Sequence, residues 1–249
     1  MPSVATLRRQ VRDADAAYRR GAAVMSDEQF DALTRQLREA APFAPELHQP
    51  GGGSKLLSLC NGDAEELEMW MDSCGGQQPL CVQEKVDGCA IAIRYVDGLL
   101  EAAWTRSGRD ATALLQHVAP QKLSSPVSIE VRGELYDADT CRQSVPAQAL
   151  RKPSHTGKGL AFIAYTLVDA QSNEFDTLWL LEMFGFDVVS SIACANLDEV
   201  LSCHRAWKAG TFGRTELPTD GIVIRIADHD TQRKLGSSTK APRYAFAMK

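Results

Sequence analysis

An α+β architecture is what this sequence predicts: antiparallel sheets flanked by helices, preceded by a small helical hairpin. Three observations carry that reading. Apolar residues recur at three- and four-residue spacing through the first forty residues, and from residue 80 onward short apolar or alternating runs replace them. Two of those runs meet at Asp97-Gly98, a pair that turns one strand straight back on its neighbour. Hairpins interspersed with helices favour antiparallel sheets over a doubly wound parallel one.

Each element has its own signal. Val4, Leu7, Val11, Ala14 and Tyr18 set the stripe of a helix over residues 4–20. A second helix opens at Ser26, where Ser26 and Gln29 make a capping-box pair and Asp27 and Glu28 suit the positive helix start. Phe30, Leu33, Leu37 and Ala40 continue it, and Pro42 and Pro45 end it. Pro50-Gly51-Gly52-Gly53-Ser54 reads as a flexible joint. The expected division is therefore a helical subdomain over 1–50, a linker over 51–62 and a core over 63–249. Two short helices bury too little to stand alone, so the hairpin must dock on something. In the core, Asp63 with Glu66 starts a short helix through Trp70. Strands are expected at Leu80–Val86, Cys89–Tyr95, Leu99–Thr105, Ser128–Tyr136, Leu160–Val168, Phe186–Ile192, Ile222–Ala227 and Tyr244–Met248, with helices at Asp176–Phe184 and Leu197–Lys208.

Composition narrows the classes. The 249 residues, 44% hydrophobic and 24% charged, exclude a disordered chain. The longest uncharged runs, Gly159–Val168 and Val188–Leu197, are far too short to span a bilayer, so no membrane partner is expected and the compartment is cytoplasmic. Lys and Arg number 27 against 32 Asp and Glu, a net charge of −5. A chain so charged lacks the basic surplus that grips nucleic acid unaided, although Arg8, Arg9, Arg12, Arg19 and Arg20 cluster early. The seven cysteines never form C-x-x-C, and the five histidines are scattered. Neither a zinc ribbon, a disulfide scaffold nor a metal-ligand cluster is predicted.

The chemistry-bearing residues fall near strand ends. Lys85-Val86-Asp87-Gly88 lies between two strands, where Lys85 can project from a sheet. At a pKa of about 10.4 only roughly one lysine in a thousand is neutral near pH 7.5, so burial or nearby cations must supply the nucleophile. Taken singly, the motif is equally a solvated pair at a turn. Glu130, Arg132 and Glu134 share one face of a strand, and Gly133 between them permits close approach. Asp220-Gly221-Ile222-Val223-Ile224-Arg225 runs into a cation, and Ala241–Lys249 closes on a lysine. Each could be a half-buried strand with a charged rim; together they describe a site for a phosphate-bearing substrate. In the hairpin, Asp27, Phe30 and Asp31 share one helical face. An aromatic wall with two carboxylates suits a flat cation, and equally suits a ring packed in a hairpin beside solvated aspartates.

The ordered set KVDG, EVRGE, DGIVIR and APRYAFAMK resembles the motifs of covalent nucleotidyltransferases, specifically the adenylation domain of bacterial-type NAD+-dependent DNA ligases. The hairpin is similar to that family's NMN-binding domain, which capping enzymes and ATP-dependent ligases lack. The resemblance implies that Lys85 attacks NAD+ to form lysyl-AMP and release NMN, with Mg2+ assisting, and that AMP then passes to the 5′-phosphate of nicked double-stranded DNA. Arg225 and Lys249 would neutralise the phosphate and lower the pKa of Lys85. Asp87, Gly88, Glu134 and Arg106 would contact the nucleotide. Ser58 and Leu59 would belong to the segment before the core, Gln83 and Glu84 to the adenine side, and Tyr18, Asp27, Phe30 and Asp31 to the NMN pocket. Arg142 and Arg151 are candidates for arginines facing the nick or NMN. The chain departs from the family at Arg19 for His, Phe30 for Tyr, Gln83 for Glu and Arg225 for Lys. Family members continue into an OB-fold and further DNA-wrapping domains, which implies a second subunit or a further part of a longer protein. Two other readings stay open: an adenylyltransferase acting on protein or RNA, and an inert NAD+-binding subunit.

Overall fold

The computed structural model describes residues 3–19, 24–40, 56–76, 78–152, 155–168, 170–238 and 241–249, save the side chains of residues 15, 16, 18, 19, 27, 28, 31, 38 and 39. The glycine joint at 50–54 lies outside the described residues. The chain divides into two compact units, Met1–Lys55 with Ser107–Arg109, and Leu56–Arg106 with Asp110–Lys249.

The first unit holds helices α1 (Val4–Arg19) and α2 (Asp27–Ala40). Ser26 caps α2 as the capping box requires: its hydroxyl accepts from the Gln29 N–H at 3.3 Å, and its own N–H donates to Gln29 Oε1 at 3.0 Å. Leu7, Val11 and Leu37 are buried between the helices, with Phe30 and Leu33 packed against them.

The second unit begins with strand β1 (Cys60–Asn61) and helix α3 (Ala64–Ser73), the latter started by a complete Asp63–Glu66 capping box. Strands β2 (Leu80–Val86), β3 (Cys89–Val96) and β4 (Leu99–Thr105) follow, then helix α4 (Thr112–Leu115), strand β5 (Ile129–Asp137), helix α5 (Ser144–Ala149) and strand β6 (Leu160–Leu167). Helix α6 (Glu174–Met183), strand β7 (Ser191–Cys194), helix α7 (Leu197–Lys208), strand β8 (Thr219–Ile226), helix α8 (His229–Leu235) and strand β9 (Ala245–Met248) complete it. Asp97 and Gly98 both adopt positive φ, 49° and 77°, as the β3–β4 turn demands.

The strands form two sheets, β1-β9-β8-β2-β7 and β4-β3-β5-β6, antiparallel except for the β1–β9 pair. The segment from Leu56 to Gly62, read from sequence as linker, belongs to this unit: Leu56 is buried beside Ala92 and Trp104, and Cys60 pairs with Phe246. One face of the first sheet packs Leu80, Val82, Ile222, Ile224 and Phe246 under α3 and α7. The second sheet packs Ile91, Ile93, Val131, Leu135 and Phe162 with Leu115 and Leu181. Each such side chain, fully buried, contributes about 1.5–3 kcal/mol. Residues Cys81, Gln83 and Lys85 alternate to the other face of β2, where Arg225 stands opposite Cys81. That polar face is where the chemistry gathers. No helix among the described residues is long and apolar enough to cross a membrane.

The expected strand over Phe186–Ile192 is displaced to β7. Phe186–Ser190 is instead tied to β6, with the Ala164 N–H donating to Asp187 O and the Val189 N–H to Ala164 O. The Ser190 N–H goes to the Glu84 carboxylate while its carbonyl accepts from the Glu84 N–H at 3.3 Å, and the paired register with β2 runs from Ser191.

Candidate active site

Lys85 sits where β2 slips against β8: Glu84 pairs with Ile222, but Val86 pairs with Thr219. This bulge re-aims the residue between them. Lys85 Nζ is 2.5 Å from Asp220 Oδ1, and the other oxygen, Oδ2, is 2.7 Å from Lys249 Nζ. One carboxylate thus holds both lysines. Burial alone would push Asp220 up, but the bonds from Lys249 and Lys85 outweigh it and hold the carboxyl below its usual range. Asp220 and Lys249 meet because β8 and β9 run together through Gly221, at φ 152°. A Cβ there would stand 2.0 Å from Met248 O.

The second sheet brings Glu134. Its residue is only half-buried, yet the carboxyl is recessed enough that burial pushes it up to about 8. The charges of Arg106 and Lys85 pull it back, and those of Asp87 and Asp220 push it further up. Lys85, Asp87, Arg106, Glu134 and Asp220 therefore share one electrostatic neighbourhood. Gly88 lets the loop after Lys85 lie against β5, since a Cβ would meet Leu135 O at 2.4 Å. Asp87 Oδ1 accepts from Gln143 Nε2 at 2.6 Å, and Arg106 Nη1 donates to the Ser58 hydroxyl at 3.1 Å.

Beside these groups lies a buried polar cluster centred on Glu174, which is fully buried. Its carboxylate accepts from Gln232 Nε2 at 2.7 Å, Arg225 Nη1 at 3.3 Å and Gln83 Nε2 at 3.4 Å, with His229 Nε2 at 3.5 Å. Burial would raise the Glu174 carboxyl, but the Arg225 charge and these bonds leave it lowered. Arg225 also lies 5.6 Å over the Tyr165 ring, within reach of a cation–π contact. Gln83 and Arg225 are thus on the expected face, but Arg225 is paired with Glu174 rather than brought to Lys85. Cys81, at the floor, has its thiol pushed up to about 12, mainly by burial.

Glu84 corrects an expectation. Read from sequence as a cofactor contact, it points to the opposite face of β2, as the residue next to Lys85 in a strand must. Its carboxylate is buried and accepts from the backbone N–H of Ser190 at 2.8 Å and of Arg214. Ser58 is exposed and Leu59 half-buried, and Arg142 and Arg151 are both exposed. Phe30 packs in the hairpin core, while the side chains of Tyr18, Asp27 and Asp31 lie outside the description.

Residues 47–143 and 146–249 match the family model for the NAD-dependent DNA ligase adenylation domain. The chain belongs to this family. Curated relatives named DNA ligase include those of Fervidobacterium nodosum, 27% identical over 91% of this chain and 41% of the relative, and Natranaerobius thermophilus, 29% identical over 90% and 42%. That of Thermotoga maritima is 29% identical over 91% and 41%. The chain spans about two-fifths of the length of the curated relatives it matches.

For an adenylation domain, two carboxylates escaped the sequence reading. Asp220 was visible only as the first charge of a strand, and its role between two lysines depends on partners 135 and 29 residues away. Glu174 lay just before the helix expected at Asp176–Phe184, and no pattern marked it. Among the described residues no group of three or more His, Cys, Asp and Glu side chains is gathered to hold a metal ion. Asp220 is already taken by two ammonium groups, so these residues do not build a cage for Mg2+.

Proposed function

We propose that this chain carries out the self-adenylation step of an NAD+-dependent DNA ligase. Lys85 Nζ, once neutral, attacks the adenylyl phosphorus of NAD+. The new P–N bond replaces the P–O bond to NMN, which leaves, and lysyl-AMP remains. Asp220 Oδ1, at 2.5 Å, is the acceptor within reach of the departing proton. Lys249 supplies positive charge beside the phosphates from the far side of Asp220. Glu134, holding its proton near neutrality, offers a donor to a ribose hydroxyl, with Asp87 and Arg106 alongside. Arg225 acts one layer back, fixing Glu174, Gln83 and the Tyr165 ring that wall the base. Mg2+ would be carried mainly by substrate phosphates and water, as that ion commonly is. The AMP then passes to the 5′-phosphate of a DNA nick, in the cytoplasm on this reading, with a DNA grip supplied by another segment or polypeptide.

The observation that carries this reading is the shared carboxylate: a half-buried lysine held beside a second lysine in a cleft with an uncharged acid. Incubation with adenine-labelled NAD+ tests it. One label per chain is expected at Lys85, absent in Lys85→Ala. No label on the native chain, or undiminished label on Lys85→Ala, would overturn it.

A further inference from the structure

Between α6 and the start of β7 lies a cavity of about 390 Å³. Phe175, Trp179 and Phe186 supply aromatic walls, and Glu182, Asp187 and Arg214 supply charge. Trp179, in its lining, is 58% exposed, and Met183 on α6 and Ile192 on β7 are 56% and 43% exposed. β7 is the edge of its sheet. An edge strand beside an aromatic pocket is the arrangement that accepts an added strand.

The charges favour a cation. Arg214 is already answered: Asp187 lies 3.6 Å from Nη1, Glu216 4.0 Å from Nε, and the Val188 carbonyl accepts from Nη2 at 3.3 Å. Glu182 has no ion-pair partner among the described residues and is exposed next to Trp179 on the helix. A ring face beside a free carboxylate stabilises an ammonium or guanidinium. The cavity is also wired to the active strand. Ser190 and Arg214, both in its lining, give their backbone N–H groups to the carboxylate of Glu84, the residue preceding Lys85.

We propose that this pocket docks a basic, extended segment of the DNA-gripping partner. A lysine or arginine of that segment enters between Trp179 and Glu182 while its backbone adds to β7. A surface that grips DNA carries Lys and Arg, and this chain at −5 is its electrostatic complement. The proposal rests on the reading above in which the grip comes from elsewhere.

The probe is a capped peptide of three Lys-Val repeats, with its Glu-Val counterpart as control. Binding is measured by calorimetry and by hydrogen exchange of the β7 amides, and each preparation is labelled at Lys85 in parallel. The lysine peptide is expected to bind and slow exchange at Ser191 and Ala193, whose N–H groups alternate to the open edge, while the glutamate peptide does neither. Trp179→Ala and Glu182→Lys, both at exposed positions that leave folding intact, should each weaken binding about tenfold or more while labelling persists. Equal binding of the two peptides, no binding of either, or lysine-peptide binding unchanged in both variants would overturn the dock. Loss of labelling with docking intact would instead sink the assigned reaction alone.

Discussion

Asp220 divides one negative charge between two ammonium groups, and this makes it the residue on which the cleft's geometry turns. Asp220→Asn keeps the shape and removes the charge, freeing both Lys85 and Lys249. The labelling rate from NAD+ should fall about a hundredfold or more, the scale of losing a positioned proton acceptor, in single-turnover measurements. A variant within threefold of the native rate would show that the carboxylate is dispensable. Glu134 makes a second prediction through pH. Its folded pKa, about 8, lies above the ordinary 4.5. Between those values the folded protein keeps a proton that the unfolded chain has lost. The unfolded state binds fewer protons, so this group lowers stability as pH rises across the window and contributes nothing below it. Glu134→Gln removes the effect: its stability relative to the native chain should rise by about 1 kcal/mol or more from pH 5 to pH 8, read from urea midpoints. The motifs made Lys85, Asp87, Glu134 and Lys249 legible because each is a short local pattern. Glu174 was not, and Asp220, although inside the DGIVIR run, was legible only as a charge, because a carboxylate's partners are set by folding.

Strands carry these residues, and at that scale small backbone allowances decide the site. Gly221 lets β8 and β9 close to hydrogen-bonding distance while aiming Asp220 at Lys249. A side chain there meets both an unfavourable φ of 152° and the Met248 carbonyl. Gly221→Ala should cost about 1–3 kcal/mol by urea denaturation and reduce labelling even where the variant is folded, since Asp220 lies on one of the strands forced apart and Lys249 directly follows the other. Native-like labelling would separate the site from this junction. The strands Leu80–Val86 and Leu99–Thr105 have the bounds their residue patterns predict, because apolar runs there end at turn residues. β7 does not, since Asp187 and Val189 bond to β6 and Ser190 to Glu84, contacts that only the folded chain provides. Helix α8 went unseen for a different reason. His229–Leu235 is polar almost throughout, and its one signal is Asp228, whose carboxylate accepts from the Thr231 N–H at 2.7 Å.

At the scale of the molecule, the proposed reaction and a grip on DNA make different demands on charge. Phosphate contacts release counterions, so binding weakens steeply with salt in proportion to the number of phosphates neutralised. A chain with 27 cationic side chains against 32 acidic ones has little surplus to spend this way. Several cations of the second unit are engaged by acids: Arg94 with Glu101, Arg132 with Glu130, Arg225 with Glu174, Arg233 with Asp230. Lys85 and Lys249, the pair nearest the chemistry, share Asp220. By itself this chain should therefore bind a nicked duplex no tighter than about 10 μM at 0.15 M salt, with a log–log salt slope shallower than about −3. Fluorescence anisotropy across a salt series measures both quantities. Addition of a polypeptide that supplies the basic grip should tighten binding and steepen the slope while leaving the Lys85 labelling rate from NAD+ unchanged. On the proposed reading, labelling draws on this chain alone, whereas sealing draws on both. Sub-micromolar binding with a steep slope for the chain alone would place the grip within these 249 residues. The early arginines Arg9 and Arg12, exposed on α1, would then be the first to substitute.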